Sequence, residues 1–296
     1  MHMRNTYDIP CKRLSVRKFG GRLTLAVACK NIQETETRGE IMKNSGINWT
    51  DHTANFWWGC FKVSEGCKNC YAESLSKRYG KQIWGTPATT AREYKKGIWN
   101  DILKWDAEAA ADGNRRRVFV SSMSDFLEDH PMVAEWREKA MDIIEQLQWL
   151  DVLLLTKRPE NAPKLLARWY DGFPPNVWFG TSIEGNDKRG RMIAALEVPA
   201  KIHFFSVEPM LERVDMNFPS RPNPHRNVWV ICGGESGAKC RPFNWDWARD
   251  LRDQCQAANV PFWMKQGGGY PNKRDKLEDM PVDLRIRELP YLKEQG

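Results

Sequence analysis

The sequence predicts an α/β fold in which parallel strands form a partial or full (β/α) barrel. Apolar runs alternate with segments of helical periodicity, an order typical of right-handed βαβ units. The strands are apolar runs rather than alternating ones, as expected for strands that are covered on both faces. No Gly-x-Gly-x-x-Gly follows a strand, which argues against a dinucleotide-binding Rossmann domain. Six strands are predicted, with a seventh, earlier one near Trp57: 117–122, 150–156, 177–182, 201–206, 227–232 and 260–265.

Helices are predicted from apolar residues that recur at spacings of three and four. They cover 71–79, the second half of 89–105, 132–148, 162–170, 187–196 and 245–258. The barrel domain is placed at 42–271, because Met42 is a plausible natural start. Residues 1–41 then form an N-terminal extension, disordered or from a non-native start, and 272–296 a C-terminal tail or surface cover.

Composition limits the function classes. The net charge is +7, but residues 1–41 hold eight Lys and Arg against four Asp and Glu, and the remainder holds 37 against 34. The body therefore gives only weak evidence for nucleic-acid binding. No apolar run reaches the roughly 18 residues that a membrane span needs. Eight cysteines in 296 residues are too few for a disulfide scaffold, and we expect a reducing, cytoplasmic compartment.

Three cysteines lie within eleven residues: Cys60, Cys67 and Cys70. Thiols this close in a reducing compartment indicate a metal site or redox chemistry. Structural zinc usually takes four ligands, and the sequence has no second Cys-x-x-Cys. Three thiolates on a [4Fe–4S] cluster leave one iron free to bind a small molecule, so three cysteines can be a complete set.

Polar residues follow nearly every predicted strand, and the strand ends of a barrel are where chemistry collects. A shared polar cavity is therefore expected at this end of the barrel. The candidates for binding are Ser122, Ser124, Asp125, Lys157, Arg158, Ser182, Glu184, Glu208 and Glu235. The sequence does not identify residues that perform the chemical step.

Several motifs together resemble the three-Cys-motif proteins of phages and mobile elements, an uncharacterised family that is similar to radical S-adenosylmethionine (SAM) enzymes. They are the Gly-Cys-x6-Cys-x2-Cys-Tyr-Ala-Glu stretch from Gly59, Ser122-Met123-Ser124-Asp125, the run from Leu155 to Glu160, Phe205-Ser206-Val207-Glu208-Pro209 and Gly233-Gly234-Glu235-Ser236-Gly237. The resemblance implies a radical-SAM-like barrel with a cysteine loop after its first strand.

The resemblance also implies a function. Cys60, Cys67 and Cys70 would hold a [4Fe–4S] cluster whose electron cleaves bound SAM, giving a 5′-deoxyadenosyl radical that abstracts hydrogen from a substrate. An electron donor such as flavodoxin or ferredoxin is implied, and the phage context implies a nucleotide or nucleic-acid substrate. The cysteine spacing of six and two departs from the common three and two, and Asn69 stands where an aromatic residue is usual, so Tyr71 is a substitute candidate.

Positions along the predicted barrel suggest how SAM would be bound. Ser122, Ser124 and Asp125 are candidates for its amino group, Ser182 and Glu184 for its ribose, and Lys157 or Arg158 for its carboxylate. The Gly-Gly-Glu motif that binds the amine in radical SAM enzymes follows their second strand. Here the motif follows the sixth strand, so that role is not transferred to Glu235.

Two other hypotheses remain open from the sequence. One is a non-catalytic zinc module in which Cys232, Cys240 or His52 is the fourth ligand. The other is a scaffold protein of mobile elements with a degenerate cluster site.

Overall fold

A computed structural model describes residues 45–218 and 227–290 of the chain. The predicted extension 1–41 and the last six residues of the predicted tail lie outside the described residues. None of the helices in the described ranges is long and apolar enough to cross a membrane.

The centre of the fold is a curled, seven-stranded parallel sheet in the order β1-β4-β5-β6-β7-β8-β9, an open half-barrel. This confirms the α/β class and the parallel sheet. Since β1 and β9 stand at the two ends of the strand order, the described strands form a partial rather than a full barrel. The strands are β1 His52–Ala54, β2 Trp57–Trp58, β3 Glu93–Tyr94, β4 Arg116–Val120, β5 Leu150–Thr156, β6 Val177–Ser182, β7 Ile202–Val207, β8 Asn227–Gly233 and β9 Phe262–Gln266.

The early strand differs from its predicted place. The first strand of the sheet is β1, whereas β2 at Trp57 pairs antiparallel with β3 in a separate two-stranded ribbon. The chain leaves the sheet at Asn55, because the Oδ1 atom of this residue accepts a hydrogen bond from the Met123 backbone N–H at 2.8 Å. A side chain therefore takes the place of a further ladder bond between β1 and the chain after β4.

Six helices lie within the described ranges, and all but the first pack on the outer side of the sheet. They are α1 Tyr71–Arg78, α2 Ile98–Asp112, α3 Ala134–Gln146, α4 Ala162–Leu165, α5 Arg189–Leu196 and α6 Trp245–Ala257. The helix predicted for 162–170 is shorter than expected, because Leu166 leaves the helical conformation (φ −118°, ψ 21°) and a 3₁₀ turn, Ala167–Trp169, follows.

The strands bury both faces, which explains their continuous apolar runs. Alternate residues such as Val118, Leu154 and Phe179 face the helices and form an outer core. Their neighbours form an inner core inside the curled sheet: Trp49, Phe119, Leu153, Trp178, Ile202, Phe204, Trp229, Ile231 and Trp263. Gly180 leaves room for this packing, since a Cβ there would lie 2.5 Å from the Phe204 ring.

The segment just before β1 closes the amino-terminal end of the half-barrel. Trp49 is 1% exposed and its ring centroid lies 4.8 Å from that of Phe119. Asn48 donates to the Lys265 carbonyl on β9 at 2.9 Å, and the Asp51 N–H donates to the Arg117 carbonyl on β4 at 2.9 Å. This end is therefore filled and apolar, and any polar cavity lies at the opposite end of the strands.

The segment predicted as a tail or surface cover runs beside β9 in its described part. The Met264 N–H donates to the Ile286 carbonyl at 2.8 Å, and the Glu288 N–H donates to the Phe262 carbonyl at 3.0 Å. These bonds occupy backbone groups on the outer edge of β9, which would otherwise be open to pairing with another chain.

We expect Trp49→Ala to lower the free energy of unfolding by about 3–5 kcal/mol, because it leaves a large cavity in the inner core. Urea unfolding followed by circular dichroism measures the change. Tyr270→Ala, at a side chain that is 67% exposed, is the control and should shift the midpoint very little. Equal effects of the two substitutions would contradict the role given to Trp49.

Candidate functional site at the carboxyl ends of the strands

The loop from Cys60 to Tyr71 lies across the carboxyl ends of the sheet strands and is hydrogen-bonded to several of them. At one end of the loop, Arg158 after β5 donates from Nη2 to the Phe61 carbonyl at 2.8 Å. At the other end, the Tyr71 hydroxyl donates to the Ser122 carbonyl after β4 at 2.8 Å. Both ends of the loop are thus fixed by residues that directly follow a strand.

Two carboxylates hold the middle of the loop. Glu184 after β6 accepts from the Ser64 hydroxyl at 2.7 Å, and Glu235 after β8 accepts from the Asn69 amide at 3.0 Å. Gly66 is pressed against Glu184, since a Cβ at this position would lie 2.5 Å from the Glu184 side chain. Four strand ends, those of β4, β5, β6 and β8, therefore position the cysteine loop.

Cys60 faces a buried ion pair. The Nη1 and Nη2 atoms of Arg158 lie 3.7 and 3.8 Å from the Cys60 sulfur, and Nη1 also binds Asp125 at 2.6 Å. Burial raises the pKa of the Cys60 thiol well above its usual range, although the Arg158 guanidinium acts in the opposite direction. Without a metal, this thiol is expected to be protonated at neutral pH.

The Asp125 carboxylate is fully engaged in this arrangement. Its oxygens accept from the Thr156 hydroxyl at 2.6 Å and from the Lys157 N–H at 3.0 Å, in addition to Arg158. Asp125 and Arg158 were predicted as contacts for SAM. In the structure Arg158 binds the cysteine loop, and Asp125 binds the Arg158 guanidinium and fixes its orientation.

Cys67 and Cys70 are half-buried in the same loop. The Cys67 sulfur lies 3.6 Å from the Ser64 hydroxyl, and Cys70 directly precedes α1. Burial raises the pKa of the Cys70 thiol, while the backbone N–H groups of Glu73 and Ala72 act against this. Within 45–218 and 227–290, no three or more His, Cys, Asp or Glu side chains are already grouped as a metal site.

Of the three residues predicted as a possible fourth zinc ligand, two lie away from the cysteine loop and one lies in a segment that contacts it. His52 stacks on Trp105 of α2 with ring centroids 4.5 Å apart, and the Cys232 sulfur lies 3.9 Å from that of Met210 in the outer core. Both therefore belong to the helix-covered face of the sheet. Cys240 lies next to Lys239, whose carbonyl accepts from the Asn69 amide at 2.8 Å, so its segment contacts the cysteine loop.

Glu184 is the centre of a second charged group. Its carboxylate is 3% exposed and binds the Lys157 ammonium at 2.8 Å and the Arg191 guanidinium at 2.7 Å. Burial by itself would raise the pKa of Glu184, but the two cations and the Ser64 hydroxyl more than offset this and hold the pKa below its usual value. The folded protein therefore keeps Glu184 ionised.

Inside the half-barrel, Glu208 after β7 pairs with Lys265 on β9. The Lys265 ammonium lies 2.6 and 2.8 Å from the two Glu208 oxygens. Gly233 leaves room for Glu208, because a Cβ there would lie 3.1 Å from its carboxyl carbon. Ser182 is buried on the neighbouring strand, where it is in register with Ser206.

Two serine hydroxyls at the end of β4 are buried and have no hydrogen-bond partner among the described residues: Ser121 and Ser124. Ser122 and Ser124 were predicted as SAM contacts. The Ser122 hydroxyl is already engaged, because it accepts a hydrogen bond from the Asn55 amide at 3.0 Å. Ser121 was not proposed as a binding residue. It is 5% exposed with a φ of 72°, a conformation that favours glycine and that nothing in the sequence indicates for a serine.

Fold and site together define a parallel α/β half-barrel protein with a cysteine loop fixed over the carboxyl ends of its strands. Over residues 44–288 the chain matches the family described as "Protein of unknown function (DUF5131)". The chain belongs to this family. The searches of curated proteins and of solved structures returned no match.

We expect Glu184→Gln to remove a pH-dependent part of the stability. The folded pKa of Glu184 is below its unfolded value of about 4.3, so its contribution is fully present above that pH and is lost as the pH falls through the folded pKa. The variant should be less stable than wild type at pH 7, and the difference should narrow on acidification. Urea unfolding at pH values from 7 down to about 3 measures this, because the difference is lost only below the unfolded pKa.

Glu160→Gln, at an exposed position after β5, is the control and should leave the profile unchanged. A constant difference between wild type and Glu184→Gln over the whole pH range would contradict an ionised, paired Glu184.

Proposed function

We propose that this chain is a radical SAM enzyme in which Cys60, Cys67 and Cys70 hold a [4Fe–4S] cluster. The observation that carries the proposal is the position of the cysteine loop, which four strand ends fix over the open, polar end of a parallel half-barrel. Parallel barrels perform their chemistry at this end, where residues from separate strands converge. A cluster here would face the groups at the ends of β4 to β9.

The donor set suits the cluster. Thiolate sulfur is the ligand that iron–sulfur clusters take, and three thiolates leave one iron open. Because the three thiols are not yet grouped in the described structure, the proposal includes a rearrangement of the 60–70 loop on binding. Cys60, Cys67 and Cys70 would hold the cluster, and when bound it would supply the electron for reductive cleavage of SAM and so the means of hydrogen abstraction from a substrate.

Arg158 is proposed as a positioning residue. Its N–H groups point at the Cys60 sulfur and would donate to this ligand, and Asp125 holds the guanidinium in that orientation. Groups of this kind orient the ligands of a metal and tune its properties. Arg158 is only 4% exposed, whereas Lys157 is 21% exposed. We therefore assign the SAM carboxylate to Lys157 rather than to Arg158.

The buried serines are the best-supported polar contacts for SAM. The hydroxyls of Ser121 and Ser124 are buried and unpaired within the described structure, so a bound ligand would satisfy them. We assign the SAM amino group to this end of β4 and the ribose to Ser182. Glu184 and Glu235, each bound to the cysteine loop and to an arginine, are proposed to hold the loop instead of the ligand.

The electron donor is proposed to be a flavodoxin or a ferredoxin in a reducing, cytoplasmic compartment. The six described cysteines are free thiols, which supports such a compartment.

The test is anaerobic purification followed by iron, sulfide and zinc analysis and a visible spectrum with and without SAM. We expect a brown protein with about four irons per chain, and 5′-deoxyadenosine after reduction in the presence of SAM. Cys60→Ala, Cys67→Ala and Cys70→Ala should each lose the iron. Cys240→Ala is the matched control, a half-buried cysteine beside the loop, and it should retain the iron.

Other results would contradict the proposal in different ways. A colourless protein with one zinc that depends on Cys240 would favour the non-catalytic zinc module. A stable cluster that never yields 5′-deoxyadenosine would favour the scaffold with a degenerate site.

A further inference from the structure

The segment between β1 and α2 holds the net positive charge of the body, residues 42–296. Residues 58–96 hold eight Lys and Arg against three Asp and Glu, a net charge of +5, while the other residues of 42–296 hold 29 against 31. This segment contains the cysteine loop, α1 and the ribbon strand β3. The excess is therefore concentrated beside the candidate site and is not spread evenly over the chain.

Contacts place four of these eight cations on one face, whereas Arg92 is buried against Glu128. The carboxylate of Glu73 is shared by Lys62 at 2.8 Å and Lys77 at 2.7 Å. The carboxylate of Glu93 is shared in the same way, by Lys81 at 2.6 Å and Lys95 at 3.3 Å. Since each carboxylate neutralises one ammonium, each group of three retains one net positive charge.

A shallow hollow of about 380 Å³ joins the two groups. Its lining includes Glu73 and Lys77 from the first group, Lys81 from the second, and the half-buried Trp84. Lysine side chains on both sides of a concave surface suit an extended anionic chain better than a single small anion.

Aromatic rings of the same segment lie beside Lys95 and at the two ends of α1. Tyr71 and Tyr79 at the two ends of α1 are 48% and 52% exposed. The Tyr79 ring lies 6.1 Å from that of Trp58, and the Lys95 ammonium lies 4.1 Å from the centre of the Trp58 ring. Exposed rings beside lysine ammonium groups can stack with bases while the ammonium groups contact phosphates.

We propose that this basic face, formed by Lys62, Lys77, Lys81, Lys95, Tyr79 and Trp58, binds single-stranded nucleic acid, with Tyr71 at the other end of α1 as a further stacking ring. The exposed tyrosines favour a single strand over a duplex, because base faces are available for stacking only when the bases are unpaired. They also favour nucleic acid over an anionic membrane, since isolated rings between lysines form no continuous apolar surface. The proposal goes beyond the proposed function and does not depend on a metal.

The position of Tyr71 connects the face with the candidate site. Tyr71 follows Cys70 directly, and its hydroxyl binds the Ser122 carbonyl at the end of β4. A strand that stacks on this ring therefore reaches the edge of the polar cavity. Bound nucleic acid would present a nucleotide to the same end of the half-barrel at which the cysteine loop lies.

The experiment measures binding of the full chain to fluorescein-labelled single-stranded DNA and RNA of about 20 nucleotides by anisotropy, from about 50 to 200 mM salt. The charge variant is Lys77→Gln/Lys95→Gln, which leaves each shared carboxylate one lysine. Two lost phosphate contacts should reduce the slope of log K against log salt by about 1.4. Tyr79→Ala should weaken binding about tenfold at every salt concentration with the slope unchanged.

The matched control is Lys104→Gln/Lys201→Gln, which removes the same charge at two exposed lysines outside the face. Because residues 1–41 add four net positive charges, the comparison of the two double variants is the decisive result. Thermal unfolding by circular dichroism confirms that each variant folds.

Equal salt slopes for the two double variants would overturn the proposal, as would the absence of binding. It would also fail if the charge variant lost binding to phosphatidylserine vesicles while no single strand was bound. The relative affinity for the DNA and the RNA strand, if either depends on Lys77 and Lys95, identifies which single strand the face accepts. Iron analysis plays no part in these outcomes, so they are distinguishable from failure of the radical SAM proposal.

Discussion

The buried carboxylate of Glu184 is the interaction on which the site depends. An ionised group that is 3% exposed is tolerated only when cations and hydrogen-bond donors surround it. Lys157, Arg191 and Ser64 supply these, and they come from β5, α5 and the cysteine loop. The same charge therefore sets the distance between the loop and two neighbouring strand ends. Without this carboxylate the middle of the cysteine loop would lose its hydrogen bond to the end of β6.

The inner residues of the strands are apolar toward the amino-terminal ends, where they stabilise the fold, and polar toward the carboxyl ends, where the candidate site lies. Toward their amino-terminal ends the inner residues are aromatic and aliphatic, and Trp49 fills the space among them. Toward their carboxyl ends the inner residues are serine, lysine and glutamate in paired or unpaired polar contacts. Packing at one end keeps the sheet curled, so the other end can hold polar groups that would not pack by themselves.

Much of the sheet could be predicted because burial on both faces leaves a local signal, the continuous apolar run at positions such as 150–156. The first strand could not be placed correctly, because three residues at His52–Ala54 carry too little pattern and the two tryptophans of β2 resemble a strand more strongly.

The polar strand ends that form the candidate site were also predictable as a set, since parallel strands bring their ends together. The individual contacts were not. Arg158 reaches Cys60 across 98 positions of the chain, and Glu235 reaches Asn69 across 166, so no local pattern distinguishes a carboxylate that holds a loop from one that binds a ligand. The left-handed backbone at Ser121 likewise has no sequence signal.

The pairing of Ile286 and Glu288 with β9 also affects how the chain folds during synthesis. The sheet gains its last strand at Gln266, but the backbone that shields this strand emerges from the ribosome some twenty residues later. Over that interval a nearly finished sheet presents an unpaired border to other nascent chains. Edge-to-edge association is the characteristic error of such intermediates, so the edge of β9 is protected only after the last described segment has paired with it.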